Sequence, residues 1–172
     1  MKVNTKEELM DIIKVTAVDA DLNYLDVSNV TDMRGVFAGS KFNGDISEWD
    51  VSNVIGMGYM FHSSKFNGDI SKWDVSNVVS MRSMFYRSVF DGHIGRWDVS
   101  SVEDMGCMFM HSIFNGDVSR WDVSNTSNLR WMFSKSNFTG DISKWDIKKA
   151  GDLSWLFHEP TSDIEFGIAH ME

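Results

Sequence analysis

Residues 66–89 read FNGDISKWDVSNVVSMRSMFYRSV, and the phrase starts again at Phe90. Trp49, Trp73, Trp97, Trp121 and Trp145 stand 24 positions apart, as do Phe42, Phe66, Phe90, Phe114 and Phe138. Phe37, Phe61, Phe85, Phe109, Phe133 and Phe157 keep the same interval. A fixed period in the twenties is the mark of a repeat architecture. One unit is too small to bury its own apolar face, so it must stack on its neighbours.

Within the unit the apolar spacing changes midway. Ile70, Trp73, Val75 and Val78 follow the frame apolar-x-x-apolar-x-apolar-x-x-apolar, and Ile46 to Val54 and Ile94 to Val102 repeat it. This is the leucine-rich-repeat frame with Val in its last place. Its central apolar-x-apolar pair has period 2 and predicts a short strand. Val78, Met81, Met84 and Phe85 then fall at i, i+3, i+6 and i+7, the spacing of one face of a short helix. The turn that follows holds Gly44, Gly68, Gly92, Gly116 or Gly140, each expected to take a positive φ.

The expected fold class is therefore an α/β solenoid. It is a leucine-rich-repeat-like right-handed coil with a short parallel strand and a short helix or 3-10 segment in each 24-residue repeat, capped by an N-terminal helix. Thr5 followed by Glu8 is a capping-box signature, and Leu9, Ile12 and Ile13 form the stripe behind it, so Lys6 to about Val15 reads as that helix. The organisation is a capping segment over 1–21, six repeats over 22–157 and a C-terminal cap over 158–172. In that last segment Asp163–Ile168 is expected as an edge strand blunted by its charges.

With 42% apolar residues, the chain of 172 has material for one packed domain. Its 12 Met, 12 Phe and 7 Trp take the place that Leu usually holds, and Met suits a core whose repeats differ slightly. The net charge is −9, but residues 27–156 hold 13 basic and 15 acidic groups. The repeat body is thus almost neutral and the acidity sits at the ends, which argues against direct nucleic-acid binding. The single Cys107 rules out a disulfide framework. No apolar run approaches a membrane span, and the start MKVNTKEELM lacks the apolar stretch of a secretory signal, so a cytoplasmic location is expected.

The phrase F-N-G-D-I-S-x-W-D-V-S-N-V-x-x-M-x-x-M-F resembles the BspA-like leucine-rich repeats of bacterial surface proteins over about residues 22–157. The resemblance implies a non-enzymatic, protein-binding repeat module, in that family an adhesin displayed on the cell, and would allow a cell-surface location.

Columns of equivalent residues supply the candidate sites. Asp26, Asp50, Asp74, Asp98, Asp122 and Asp146 form one, and Glu48, Lys72, Arg96, Arg120 and Lys144 lie two residues earlier. The simplest account is a salt-bridged strand face in which Asp also bonds nearby Ser or backbone groups. A protein-binding stripe of Asp50, Asp74, Asp98, Asp122, Arg96 and Arg120 is the alternative. Asn43 and Asp45 about a Gly suit an Asx turn better than a calcium loop. His62, His93, His111, His158 and His170 lack metal-ligand spacing, and the abundant Ser are fixed in the repeat, so no metal, cofactor or catalytic set is expected. The positions on the expected helix side vary most between copies: Tyr59, His62, Arg82, Tyr86, Met110, Arg130, Trp131 and Trp155. They are of types enriched in interface cores, and they serve either a contact surface or packing between neighbouring coils. The function expected is recognition of a protein partner, without a membrane or a cofactor. The alternatives are a small intracellular, phage-encoded inhibitor of a nucleic-acid-processing enzyme, acting by acidic mimicry or steric block, and a fragment of a surface adhesin.

Overall fold

A computed structural model of the protein describes residues 1–151, 153 and 155–157. The expected cap over 158–172, with its edge strand at Asp163–Ile168, and His158 and His170 lie outside the described residues. One helix, α1 (Lys6–Val15), opens the chain. Thr5 caps it by accepting the Glu8 N–H at 3.2 Å, while the Glu8 carboxylate accepts the Asn4 N–H at 2.8 Å. Leu9 and Ile13 turn inward and join the core.

Equivalent residues then lie over one another in rungs of 24. The rings of Trp49 and Trp73 are 6.4 Å apart and 1° from parallel. Phe61 stacks on Phe85 at 5.5 Å, and Phe85 on Phe109 at 5.6 Å. Each Trp indole also ties its rung to the one before. The Nε1–H of Trp49, Trp73, Trp97, Trp121 and Trp145 donates to the carbonyl 27 residues earlier, at 3.0–3.1 Å. An Asn column does the same from outside: the Asn43 side chain accepts the Asn67 N–H at 2.7 Å, and Asn67 accepts the Asp91 N–H at 2.8 Å. One continuous core of Phe, Met, Trp and Val runs through the stack.

The expected α/β solenoid, with a strand and a helix in every repeat, is not what the chain forms. Among the described residues α1 is the only helix, and backbone pairing between rungs amounts to isolated parallel bridges such as Gly56–Ser80 and Ser80–Asp104, with no sheet. The hydrogen bonds give the reason. In the stretch expected to be helical, alternate residues divide their two backbone groups. Met57, Tyr59 and Phe61 donate their N–H across to Ser80, Arg82 and Met84 of the next rung, each at 2.9 Å. Their carbonyls turn back to accept from Met60, His62 and Ser64, three residues on, at 3.1–3.2 Å. A helix needs both groups within the segment and a sheet needs both across it; here one goes each way. In the stretch expected to be a strand, Trp73 N–H closes a tight turn to Ile70 and Val78 N–H another to Val75. The intervening N–H groups of Ser71 and Ser76 are held by Asp69 and Asp74 at 2.9 and 3.1 Å. Local side chains thus take the donors that a ladder would use.

Positive φ also falls elsewhere than expected. Gly44, Gly68, Gly92, Gly116 and Gly140 are not left-handed. Four of them are glycine for space, since a Cβ on Gly68 would stand 2.8 Å from the Phe66 ring, and Gly92, Gly116 and Gly140 repeat the contact. The left-handed residues form two other columns. One contains Gly35, Tyr59, Ser83, Cys107 and Trp131; the other contains Gly39, Ser63, Arg87, His111 and Lys135. In the first, a positive φ at the third residue of the turn from Met57 to Met60 is what a type II turn requires. Left-handed backbone costs an L-residue about 1–2 kcal/mol, and the first rung avoids that cost with glycine at both positions. Ser63→Gly is accordingly expected to stabilise the protein by about 0.5–1 kcal/mol after the entropy of glycine is discounted. Ser63→Val is expected to destabilise it. Urea denaturation midpoints read both.

Candidate interaction surface

The rungs have two unlike sides. The bonded side comprises residues 31–41, 55–65, 79–89, 103–113 and 127–137, which carry the backbone bonds between rungs. The Asp–Ser side comprises residues 42–54, 66–78, 90–102 and 114–126, which carry the local turns. Rings in the Phe61 column are 5.3–5.6 Å apart, whereas those in the Phe66 column are 6.4 Å apart. The stack is therefore tighter along the bonded side.

Charge separates in the same way. The five bonded-side stretches hold seven Lys or Arg and three Asp or Glu, whereas the Asp–Ser stretches, with 138–150 included, hold six basic and eleven acidic residues. The near-neutral body read from the sequence conceals this polarity, because a sum along the chain averages over both sides of every rung.

On the Asp–Ser side the carboxylates are committed to their own turns. Asp50, Asp74 and Asp98 each accept from a Ser hydroxyl two residues on at 2.6 Å and from that residue's N–H at 3.1 Å. Asp122 accepts the Ser124 N–H at 3.0 Å. The Ser76 hydroxyl and N–H hold Asp74 below the usual carboxylate range, and those of Ser124 do the same for Asp122. The expected salt-bridged strand face is therefore corrected. Among the described residues there is no sheet face; the expected Ser and backbone bonds to Asp are present, and the ion pair seen in this column is Asp146 with Lys148 at 3.4 Å. Within the neighbouring column the ion pair observed is Lys72 to Glu48 at 3.1 Å, between exposed groups. Arg96 and Arg120 are exposed beside Lys72 and His93 around an open groove of about 490 Å³. Asp45, Asp69, Asp117 and Asp141 make the same Asx turns with Ser at 2.8–2.9 Å. Among the described residues no three His, Cys, Asp or Glu come together as a metal would need.

The varied positions do converge on the bonded side. Tyr86, Cys107, Met110 and Trp131 pack into a second apolar cluster, separate from the main core, and all are buried. For these the packing account holds, since they fill the space between neighbouring rungs. Around them lie half-buried and exposed groups. His62 stacks on Tyr86 at 4.8 Å and 6°, Tyr59 flanks His62 at 5.8 Å, and the Arg87 guanidinium sits 5.3 Å over the Tyr86 ring. Burial, and then the nearby Arg87 charge, pushes the His62 imidazole below its ordinary value and keeps it neutral against the ring. Burial pushes the Cys107 thiol up to about 11, so it is a small apolar side chain here and no nucleophile.

Arg82 and Arg130 belong to a column that reads Arg34, Gly58, Arg82, Gly106, Arg130. The alternation was legible in the aligned repeats, but its meaning was not. Arg34 and Arg82 each lean over a rung that carries glycine: a Cβ on Gly106 would meet the Arg82 guanidinium at 3.2 Å. Beside this column a cavity of about 590 Å³ opens between Arg82, Asn128, Arg130, Trp131, Ala150 and Trp155. Arg130 and Trp155 are exposed, and Arg82 is half-buried. Among the described residues no helix is long and apolar enough to cross a membrane.

The model of a protein family described as "Mycoplasma protein of unknown function, DUF285" matches this chain twice, over residues 8–112 and 87–165. The two matches overlap, as a repeating chain permits. No curated protein and no solved structure matches it.

Proposed function

The chain belongs to this Mycoplasma family of unknown function, and from its geometry we propose that it is a non-enzymatic module that binds a protein partner through the bonded side of the stack. The observation that carries the reading is the meeting, on one side, of the basic excess with the varied aromatic and arginine positions around Tyr86 and Trp131. Such side chains supply most of the energy of protein interfaces. A backbone tied rung to rung holds them in place before binding, which limits the ordering cost. The resemblance to BspA-like repeats is in keeping with such a role. The acid-rich opposite side supports a second reading, an acidic inhibitor seated in a basic groove. That side presents carboxylates already bonded to Ser, with Lys72, Arg96 and Arg120 set among them.

Photo-crosslinking side chains at Tyr59 and at Asp98, each on its own full-length variant in Mycoplasma cells, separate the two. A discrete protein adduct from Tyr59 and none from Asp98 is expected. The reverse pattern establishes the acidic-inhibitor reading instead. Adducts from neither position would remove the binding role from both sides.

A further inference from the structure

Resting on that reading, we propose that the cleft between Arg82, Arg130, Trp131 and Trp155 takes a short acidic segment of the partner, with carboxylates on the two guanidinium groups and an apolar side chain against the exposed edge of Trp155.

The three arginines of the column are not equivalent. Arg34 is closed: its Nε and Nη2 donate to Asp32 at 2.9 and 2.7 Å. Arg82 is half-buried and hydrogen-bonded to Tyr59, but it has no carboxylate within direct hydrogen-bond distance. Its nearest carboxylate, Asp104, lies 3.9 Å away. That carboxylate already accepts from the Asn128 amide at 2.8 Å and from the Gly106 N–H at 2.9 Å. Both donors go to Oδ1 and leave Oδ2 towards Arg82, so an incoming carboxylate offering two-point contact competes with one long ion pair and the Tyr59 bond. Arg130 is exposed at the rim of the same cavity. The volume of about 590 Å³ falls within the range of ligand-binding clefts. Its lining couples two guanidinium groups and an amide with Trp131, Trp155 and Ala150, so it offers both charge and apolar contact.

Spacing narrows the occupant further. Arg82 and Arg130 are two rungs apart, roughly 10 Å at the separation of hydrogen-bonded backbones. Three residues of extended peptide span the same distance. Side chains of an extended segment share a face only at even spacing, so carboxylates four positions apart, with an apolar residue midway on the same face, match the site within the reach of the arginine side chains. Taken as a whole the opposite side is acidic, with eleven acids against six basic residues, and the whole chain carries −9. A long polyanion would meet that field, whereas a short acidic segment on the bonded side does not. Trp131 is buried and offers no open face for a base to stack on.

The test is a selection of random peptides displayed on phage against the immobilised full-length chain, followed by titration of the recovered peptides. Enrichment of Asp or Glu at positions i and i+4 is expected, with affinity falling at least tenfold in 0.5 M salt. Arg82→Gln and Arg130→Gln are each expected to weaken the recovered peptides at least tenfold, and Arg34→Gln to leave them unchanged. Circular dichroism of each variant confirms the fold. Recovery of peptides without acidic residues overturns the proposal, as does equal binding by Arg130→Gln or displacement of the peptide by oligothymidylate at lower concentration than by its own unlabelled form. A Tyr59 crosslink that persists while acidic enrichment is absent sinks this inference and leaves the binding module standing.

Discussion

Trp73→Ala is expected to lower the stability of the protein by about 4–5 kcal/mol, the upper part of the range for removing a buried large aromatic. Trp73 is 4% exposed, and its ring lies parallel to Trp49 at 6.4 Å and against Phe61 at 6.3 Å. Its Nε1–H reaches the Ile46 carbonyl at 3.1 Å. That carbonyl also accepts the Trp49 N–H at 3.2 Å, so losing the indole does not strand it. The hydrogen bond itself is accordingly worth about 1 kcal/mol, the ordinary net value, and the cavity accounts for the rest. Trp73→Phe separates the two contributions: it keeps most of the volume, loses the donor, and should cost about 1–2 kcal/mol. Trp145→Ala should cost less than Trp73→Ala, because its rung is less closed: Ile142 and Ile147 are half-buried where Ile70 and Val75 are buried. Guanidinium denaturation followed by tryptophan fluorescence measures all three. Equal losses for Trp73→Ala and Trp145→Ala would show that position in the stack does not set the energy.

How far the sequence foretold this arrangement depends on how local each determinant is. Helix α1 was legible because Thr5, Glu8, Leu9 and Ile13 act within a few residues of one another. The stacking of equivalent residues was legible from the Trp and Phe columns, since only superposition makes so strict an interval useful. The strand and the helix were not. Ile70, Trp73, Val75 and Val78 all point inward, so the pattern of burial was right. The same pattern is produced by two tight turns whose free N–H groups are taken by Asp69 and Asp74. Likewise Val78, Met81, Met84 and Phe85 are buried as a helix face would be. Left-handed Ser83 and Arg87, with N–H groups of alternate residues sent to the next rung, give that spacing without a helix. Apolar periodicity reports which side chains are inside; it does not report where the backbone donors go. The variable positions picked out from the repeats lie together on the bonded side. Their division into a buried cluster of Tyr86, Met110 and Trp131 and a rim of Tyr59, His62, Arg82, Arg130 and Trp155 needed the coordinates of neighbouring rungs.

Gly95 carries the other large expected effect, and it runs against the repeat pattern. Ser47, Ser71, Ser119 and Ser143 occupy the equivalent position in other rungs, so alignment of the repeats would recommend Gly95→Ser as a stabilising change. The structure reverses that advice. A Cβ on Gly95 would stand 2.2 Å from the Asp117 carbonyl oxygen of the next rung, a backbone atom that cannot swing aside. Gly95→Ser and Gly95→Ala are each expected to cost about 3 kcal/mol, at the top of the usual range for overpacking. Gly35→Ala, with φ +71° and open space around it, should cost only the backbone strain of about 1 kcal/mol. The difference at Gly95 follows from its neighbour two residues back. Ser71 and Ser119 are held by the carboxylates of Asp69 and Asp117, each at 2.9 Å, whereas His93 stands where that carboxylate belongs. Without that Asx turn the backbone at Gly95 is placed so that only glycine fits beside the Asp117 carbonyl. His93→Asp together with Gly95→Ser restores both halves of the turn. The pair should therefore be less destabilising than Gly95→Ser alone, with a coupling of about 1–2 kcal/mol in a double-mutant cycle. Additive losses would show that the Asp117 carbonyl is fixed by something other than the missing turn, and a gain from Gly95→Ser by itself would show that the contact is not there.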